Sequence, residues 1–533
     1  MRELYVPEML NTEINEFASQ SNLTQVASYF DIVDNSVKTG DTNKRYTYST
    51  NACNAPAAPI KAGGWTSVVI SPQGDNMCDL YNSFVKATMT FSYKLDSSCS
   101  CGISDVPGPL VWIGFKDAMD AIEQYQLVAN GQSFYTQSNA IEESYITSLA
   151  TTESVKKTDV FSKVRHKDLW KGKANAKLGD FIDTTKGTSG TVTIDLKIDL
   201  RRILPLSGIK LLPGFVGNME LRIKFGTAGL VCAPVGYEYA LAYRYDLLSK
   251  LGAKVQYTNH FVPVGVPFSM PTSITNSSGT ITISTASRTV TVSDAIVDTC
   301  YSYLACFGLD DNLYQALITR YSQDALSYPI QTLSFQTMNG LPNKDGCDLT
   351  LTATPRFVDS IYILLQRNQL YRTCYENPLF ANFVLKMGGY GTIPDVQFDS
   401  SSAEFYEMAS NAYNTNNDLT GFNEDVMKSI VNEENVLTGT VSNDVTNFVM
   451  AFPASTDFTY QQGQTSNTPI TYQLRATFSK NSGGGVPSPF ANDTSCIPVM
   501  GFLKDSVLAI QLRPVGPPII ALDEYDLSSP AGA

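Results

Sequence analysis

Apolar and polar residues alternate strictly over long parts of this chain. Val192, Ile194, Leu196, Ile198 and Leu200 are interleaved with Thr193, Asp195, Lys197 and Asp199. Such a period of two predicts a half-buried strand with its apolar face inward. A loop with Pro205, Pro213 and Gly214 follows, then a second strand in which Met219, Leu221, Ile223 and Phe225 alternate with Glu220, Arg222 and Lys224. Val85, Ala87, Met89, Phe91 and Tyr93 alternate in the same way, just after Asp79-Leu80-Tyr81-Asn82-Ser83. Tyr125, Leu127 and Ala129 run into Asn130-Gly131. An Asn-Gly pair between strand-like runs predicts a tight hairpin, because a type I′ turn needs positive φ at both central residues.

Further strands are predicted at Val262 to Phe268, Thr280 to Ser284, Thr289 to Val292, Leu349 to Thr354, Ser360 to Leu365, Ile470 to Phe478 and Val507 to Leu512, and an aromatic run spans Tyr237 to Tyr245. Helices are few and short. One is expected near Thr12 to Ala18, one over Asp310 to Tyr321 capped by Asp310 or Asp311, and one over Glu424 to Val431. Another follows the Ser401/Glu404 capping-box spacing, with Phe405, Met408, Ala409 and Ala412 on one face. Short strands, turn signals and no βαβ alternation predict an all-β protein with a few short helices. Its expected divisions are an N-terminal arm (1–60), a first β-rich unit (61–248) with a long insertion at about 151–190, a second unit (249–514) and a Pro-rich C-terminal tail (515–533). The insertion carries nine Lys or Arg against five Asp or Glu and has no clear periodicity; it reads as a surface loop. The tail's prolines exclude it from a central strand.

Composition supports this picture. The chain has 533 residues, too many for one ordinary core, with 43% hydrophobic residues, only 17% charged, 28 Tyr and 26 Phe. A net charge of −13 argues against strong direct nucleic-acid binding, which needs clustered Lys and Arg. Ten Cys include one CxC, Cys99 and Cys101, but no CxxC pair, and His166 and His260 are the only imidazoles. Neither a zinc site nor a disulfide framework is expected. The N-terminus has no continuous apolar segment of the signal-peptide kind, and no 18-residue apolar run occurs. The thiols are therefore expected to be mostly free and buried, in a protein made in a reducing compartment. The sequons at Asn22 and Asn492 read as chance matches.

Candidate chemistry is sparse. His166 near Asp168 lies in the Lys-rich insertion, and two imidazoles leave little room for a nucleophile–base arrangement. The carboxylate pairs Asp310-Asp311, Glu142-Glu143 and Glu433-Glu434 are adjacent in sequence, and on a strand adjacent residues face opposite ways. Gly388-Gly389-Tyr390-Gly391 lacks the phosphate-loop pattern and reads as a turn between strands. No catalytic, cofactor-binding or metal-binding residue is expected, and no cofactor. The rival to a purely structural role is a β-sandwich that binds carbohydrate or a receptor, for which Tyr237, Tyr239, Tyr243 and Tyr245 would offer stacking surfaces.

Several segments, in order along the chain, resemble the double-jelly-roll major capsid proteins of the polinton-like virus, virophage and adintovirus group. They are CDLYNSFVKATMTF (Cys78 to Phe91), WIGFKDAMDAIEQYQLVANG (Trp112 to Gly131), the stretch 192–225, FVDSIYILLQR (Phe357 to Arg367), VLKMGGYGTIPDVQF with the Phe405 helix after it, and DSVLAIQLRP (Asp505 to Pro514). The resemblance implies two tandem antiparallel β-sandwich jelly rolls. It also implies homotrimeric, pseudo-hexagonal capsomers that tile an icosahedral shell around double-stranded DNA. Implied partners are the chain itself, in the trimer and in neighbouring capsomers, together with penton and minor capsid proteins, and host surfaces touched through outer loops. The implied place is the virion, assembled in the host cytoplasm or nucleus.

Overall fold

In a computed structural model of the chain, the residues described are 46–52, 59–72, 76–101, 110–149, 178–209, 211–234, 261–277, 280–308, 326–354, 358–388, 391–398, 403–414, 446–454, 469–478, 488–512 and 518–523, with isolated positions between 315 and 322. The expectations for the helices at 12–18 and 424–431, most of 310–321, the bulk of the insertion, His166, Asp168, His260, Asp310-Asp311, Glu433-Glu434 and Tyr237 to Tyr245 lie outside the described residues.

The first part of the chain forms β1 (Tyr46–Ala52), β2 (Ile60–Lys61), β3 (Trp65–Val69), β4 (Asn76–Leu95), β5 (Ser100–Cys101), β6 (Leu110–Gly114), β7 (Ile122–Ala129) and β8 (Gln132–Gln137). Helix α1 (Ala140–Leu149) follows, then β9 (Gly179–Asp183), β10 (Ser189–Asp199), α2 (Leu204–Ser207), β11 (Leu211–Pro213), β12 (Met219–Phe225) and β13 (Val231–Pro234). After β14 (Val262–Pro263) come β15 (Phe268–Ser277), β16 (Thr280–Arg288) and the long β17 (Val290–Gly308). One sheet runs β1-β17-β4-β10 and the other β3-β12-β7-β8. The alternation seen in sequence is the reason they stack. Val192, Ile194, Leu196 and Ile198 sit directly opposite Phe91, Met89, Ala87 and Val85, and all eight are buried. On the other sheet Leu221 and Ile223 lie opposite Leu127 and Tyr125, and the two apolar faces share one core. The predicted β7–β8 hairpin is present: Asn130 has φ 49° and Gly131 φ 84°, both left-handed as a type I′ turn requires.

A smaller sheet, β14-β13-β6-β9, carries Trp112. Gly114 and Gly179 are cross-strand partners, and a Cβ on Gly179 would come within 2.4 Å of the Trp112 ring. The indole therefore lies flat over backbone that only glycine leaves open.

The second part contains β18 (Leu326–Thr337), β19 (Gly346–Ala353), β20 (Val358–Gln366), β21 (Phe380–Met387), β22 (Gly391–Phe398), α3 (Ala403–Asn414), β23 (Met450–Pro453), β24 (Ile470–Phe478), β25 (Ile497–Gln511) and β26 (Ile519–Asp523). Its sheets are β18-β25-β20-β23 and β19-β24-β21-β22. The chain thus crosses from sheet to sheet at almost every step, and its last strand inserts between its first and third. That neighbour order is a jelly roll. β24 buries Ile470, Tyr472, Leu474, Ala476 and Phe478 as its alternation predicts. β20 is instead buried at all nine positions. Its outer face is covered by α3: Ser360 Oγ donates to Ala412 O at 2.7 Å, and the Tyr362 and Tyr413 rings lie 5.2 Å apart. α3 buries Phe405, Met408, Ala409 and Ala412, the face read from sequence. β21 and β22, on either side of the Gly-rich run, pair antiparallel with Met387 opposite Gly391.

Several expectations change. β17 lies in the stretch assigned to the second unit, yet it pairs with β4 in the first sandwich, and Leu326, Tyr328, Ile330, Leu508 and Ile510 pack into that same core. Tyr46–Ala52, expected in an arm, pairs with Tyr301 to Phe307 of β17. The last long strand begins at Ile497, not Val507, because β18 and β20 flank it over its whole earlier half. The Pro-rich tail supplies an edge strand, β26, on residues 507–511. Residues 179–190, assigned to the insertion, form β9 and the start of β10.

Candidate functional site: the junction between the two sandwiches

The densest set of buried charged groups lies where the two sandwiches meet, around α1. This helix follows the β7–β8 hairpin, and nine of its ten residues are buried. Its Glu142 and Glu143 were one of the carboxylate pairs considered as a catalytic couple on a strand. They lie on a helix instead, one turn-step apart, and each is committed to a different partner. Glu142 receives a two-pronged bond from Arg372 of the second sandwich, Nε to Oε1 at 2.6 Å and Nη2 to Oε2 at 2.5 Å. Gln366 Nε2 also donates to Glu142 Oε1, at 3.2 Å. The Glu142 side chain is 2% exposed and that of Arg372 21%. Burial opposes the charge on Arg372, but the bonds and field of Glu142 outweigh it and push its pKa up.

Glu143 accepts from Tyr125 OH at 2.8 Å, from Gln137 Nε2 at 2.7 Å and from Leu204 N at 3.3 Å. Burial pushes its carboxyl up to about 7, against the pull of those three donors. Gln137 carries the connection onward, donating also to Leu333 O of β18 at 2.8 Å. A second acidic cluster lies at the turn before β7. Arg202 grips Asp117 through Nη1 and Nη2 at 2.5 and 2.9 Å. Asp120 accepts from Ser144 Oγ of α1 at 2.8 Å and from Asp117 N at 3.0 Å. Burial and the neighbouring Asp117 charge push Asp120 up to about 7.

Further hydrogen bonds complete the seam. Lys116 Nζ donates to Thr446 Oγ1 at 2.6 Å, Tyr145 OH to Phe448 O at 2.8 Å, and Tyr328 OH to Leu211 O at 2.8 Å. The Tyr145 and Tyr375 rings meet at a tilt of 53°, their centroids 4.5 Å apart. Apolar side chains interlock in both directions: Tyr145, Ile146, Leu149 and Leu204 belong to the second core. At Gly208 an added Cβ would meet Pro329 O at 2.1 Å, so β18 approaches the end of α2 only because no side chain stands there. The tail closes the rim, where Asn130 Nδ2 donates to Pro518 O at 3.3 Å.

Chemically this is a clamp. Its carboxylates are consumed by donors in the interior: Glu142 ties the first sandwich to the second, while Glu143, Asp117 and Asp120 fix α1 and the β7 turn within the first. No group of three or more His, Cys, Asp or Glu that could hold a metal occurs among the described residues, and no helix among them is long and apolar enough to cross a membrane. Arg372 escaped the sequence reading altogether. It sits in an irregular loop between β20 and β21, with no local signal of a partner some 230 positions away.

Two jelly rolls joined through this clamp make a double jelly roll. No family model matches the chain, and no curated protein matches it. Among solved structures, it is similar to a cryo-EM structure of the Sputnik virophage, with 10% identity over 92% of this chain and 92% of that one and a TM-score of 0.47. It is also similar to the mavirus major capsid protein, with 10% identity, 91% and 93% coverage and a TM-score of 0.46. A third is the Faustovirus major capsid protein, with 8% identity, 87% and 90% coverage and a TM-score of 0.43. Identities and scores this low carry no conclusion about function.

Proposed function

We propose that this chain is a major capsid protein, a structural building block with no enzymatic activity. The observation that carries the reading is the clamp: two jelly rolls held as one block by the buried Glu142–Arg372 ion pair, shared cores and a tail strand. A binding module needs one sandwich and a site. A wall element needs a rigid block with a repeated outline. Three such blocks about a threefold axis place six sandwiches in a ring, a pseudo-hexagonal tile whose cyclic contacts close on themselves. Heterologous contacts between tiles then pave the flat facets of an icosahedral shell around double-stranded DNA. The ordered motifs from Cys78 to Pro514 support the same reading.

In this proposal the first jelly roll extends through β17 and the second runs from β18 to β25, with the segment before β1 reaching neighbouring subunits. Penton and minor capsid proteins fill the vertices and seams, and outer loops meet the host surface. The net charge of −13 leaves DNA packaging to other components. The protein's place is the capsid of the virion.

Light scattering on the purified protein, with negative-stain images of the same peak, tests the proposal. The expected species has three times the mass of the 58.2 kDa chain and a hexagonal outline. Its interfaces should exceed the roughly 1,200–2,000 Å² of a standard complex, so it should survive dilution to micromolar concentration. A monomer that stays monomeric and binds immobilised glycans would replace this reading with that of a carbohydrate-binding sandwich.

A further inference from the structure

We propose that Cys78 and Cys306 form an oxidisable dithiol that closes into a cross-strand disulfide, stapling β17 onto the first sandwich. The sequence predicts thiols that are mostly free and buried; Cys78 and Cys306 are both, and register sets them opposite one another. Cys78 on β4 and Cys306 on β17 are direct partners in the antiparallel ladder, between Ala305 opposite Asp79 and Phe307 opposite Met77. Directly opposed residues of such a ladder project to the same face with Cα atoms about 4.5–5.5 Å apart, inside the roughly 4.4–6.8 Å that a disulfide spans. Both side chains enter the same core, at 0% and 4% exposure.

The local backbone holds the pair in place. Asp79 and Phe84 are consecutive ladder positions on β4, because Leu80 to Ser83 loop out of the strand. Ser83 Oγ closes that excursion, donating to Asp79 O at 2.6 Å and accepting from Ala305 N at 3.0 Å. The same hydroxyl lies 3.5 Å from Cys78 Sγ. Cys78 bonds to Cys306, which pulls the Cys306 thiol down, while that bond and burial push Cys78 up. Cys306 is therefore the attacking thiolate and Cys78 the resolving thiol. The pair sits near the ends of both strands, where the ladder stops at Gly308 opposite Asn76. β1 pairs Thr47 with Cys306 and β11 pairs Leu212 with Cys78, so an oxidant reaches the thiols while β17 is still docking during folding.

With oxidised glutathione as the oxidant, the Cys306 thiolate attacks one glutathione sulfur and expels the other as a thiolate. Cys78 gives its proton to solvent, attacks Cys306 Sγ and expels the second glutathione. Two protein thiols are oxidised and one glutathione disulfide is reduced to two thiols. The bond forms when the protein passes from a reducing to an oxidising compartment. It joins β4 to a strand more than two hundred residues later.

To test this, full-length protein is incubated with oxidised or reduced glutathione, both in the native state and during refolding, then alkylated, digested and analysed by mass spectrometry. The expected result is a linked peptide pair joining Cys78 to Cys306, lost on reduction, with a higher melting temperature for the oxidised protein. Cys78→Ala and Cys306→Ala should each melt at the same temperature under both conditions. If Cys78 and Cys306 are both alkylated after both oxidising treatments, or are linked to other cysteines, the proposal is wrong. It is equally wrong if Cys306→Ala keeps the redox-dependent melting shift, a readout that stands even where Cys78→Ala fails to fold.

Discussion

The two sandwiches share one topology and differ in what is inserted into it. In the second, β25 lies between β18 and β20 and the partner sheet runs β19-β24-β21-β22; in the first, β17 lies between β1 and β4 and the partner sheet runs β3-β12-β7-β8, strand for strand the same order. The second closes quickly, from Phe478 at the end of β24 to Ile497 at the start of β25. In the first, β13 to β16, which belong to two further sheets, intervene between Phe225 at the end of β12 and Val290 at the start of β17. A closing strand that far off must wait for distant chain, and loop closure over such separations costs entropy before any contact repays it. The clamp lies between them, and its substitutions ask whether the two halves stand alone.

The largest effect is expected from Arg372→Ala. Glu142 would be left buried without its cation, a loss of about 3–5 kcal/mol. Urea unfolding should show a lower midpoint, with the two sandwiches melting in separate steps. A loss below about 1 kcal/mol would mean that the ion pair does not couple them.

Glu143 contributes a pH dependence of opposite sense to the usual carboxylate. Its folded value of about 7 lies above the ordinary 4.5, so between those values the folded state holds a proton that the unfolded state has released. Stability is greatest below pH 4.5, falls as pH rises toward 7, and is level above it, a change of roughly 3 kcal/mol for this group. Glu143→Gln removes the titration, though its NH2 then faces a donor, Gln137 Nε2 or Leu204 N, and lowers stability at every pH. It should flatten, though not abolish, that decline, because Asp120 titrates in the same window. An unchanged slope in urea titrations at pH 5, 6 and 7 would remove Glu143 from the account.

Ser83→Ala tests the late-arriving closing strand. It leaves Ala305 N, buried and now without its acceptor, at a cost of about 1–3 kcal/mol, and hydrogen exchange should speed up along β17 but not along β25. Equal protection in both would show that the first sandwich holds its distant closing strand as firmly as the second holds its near one. The smallest effect is expected at the hairpin. Gly131→Ala meets no neighbouring atom within 4 Å, so its cost is backbone strain alone, roughly 1–2 kcal/mol, read as a small drop in melting temperature.

Local pattern foretold a good deal of this. β10, β12, β24 and the α3 face were legible because a period of two or of 3.6 states which side of an element is dry. The Asn130-Gly131 turn was legible because few residue pairs accept two positive φ angles. β20 was found despite its continuous burial. What misled was distance in sequence: β17 closes the first sandwich from beyond β13 to β16 and looked like the start of the next unit, and Glu142-Glu143, weighed as strand residues, lie on a helix.

The chain's own residues therefore determined where strands run, which face of each is apolar and where it turns, since these follow from backbone sterics and the transfer of side chains from water over a few residues. Only the tertiary structure decided which strands lie side by side, that β17 joins the first sheet, and that Arg372 answers Glu142. Alternating strands all offer much the same edge, and the choice among them is made by whole complementary faces. A buried charge, likewise, is tolerable only when a partner from far along the chain arrives to neutralise it.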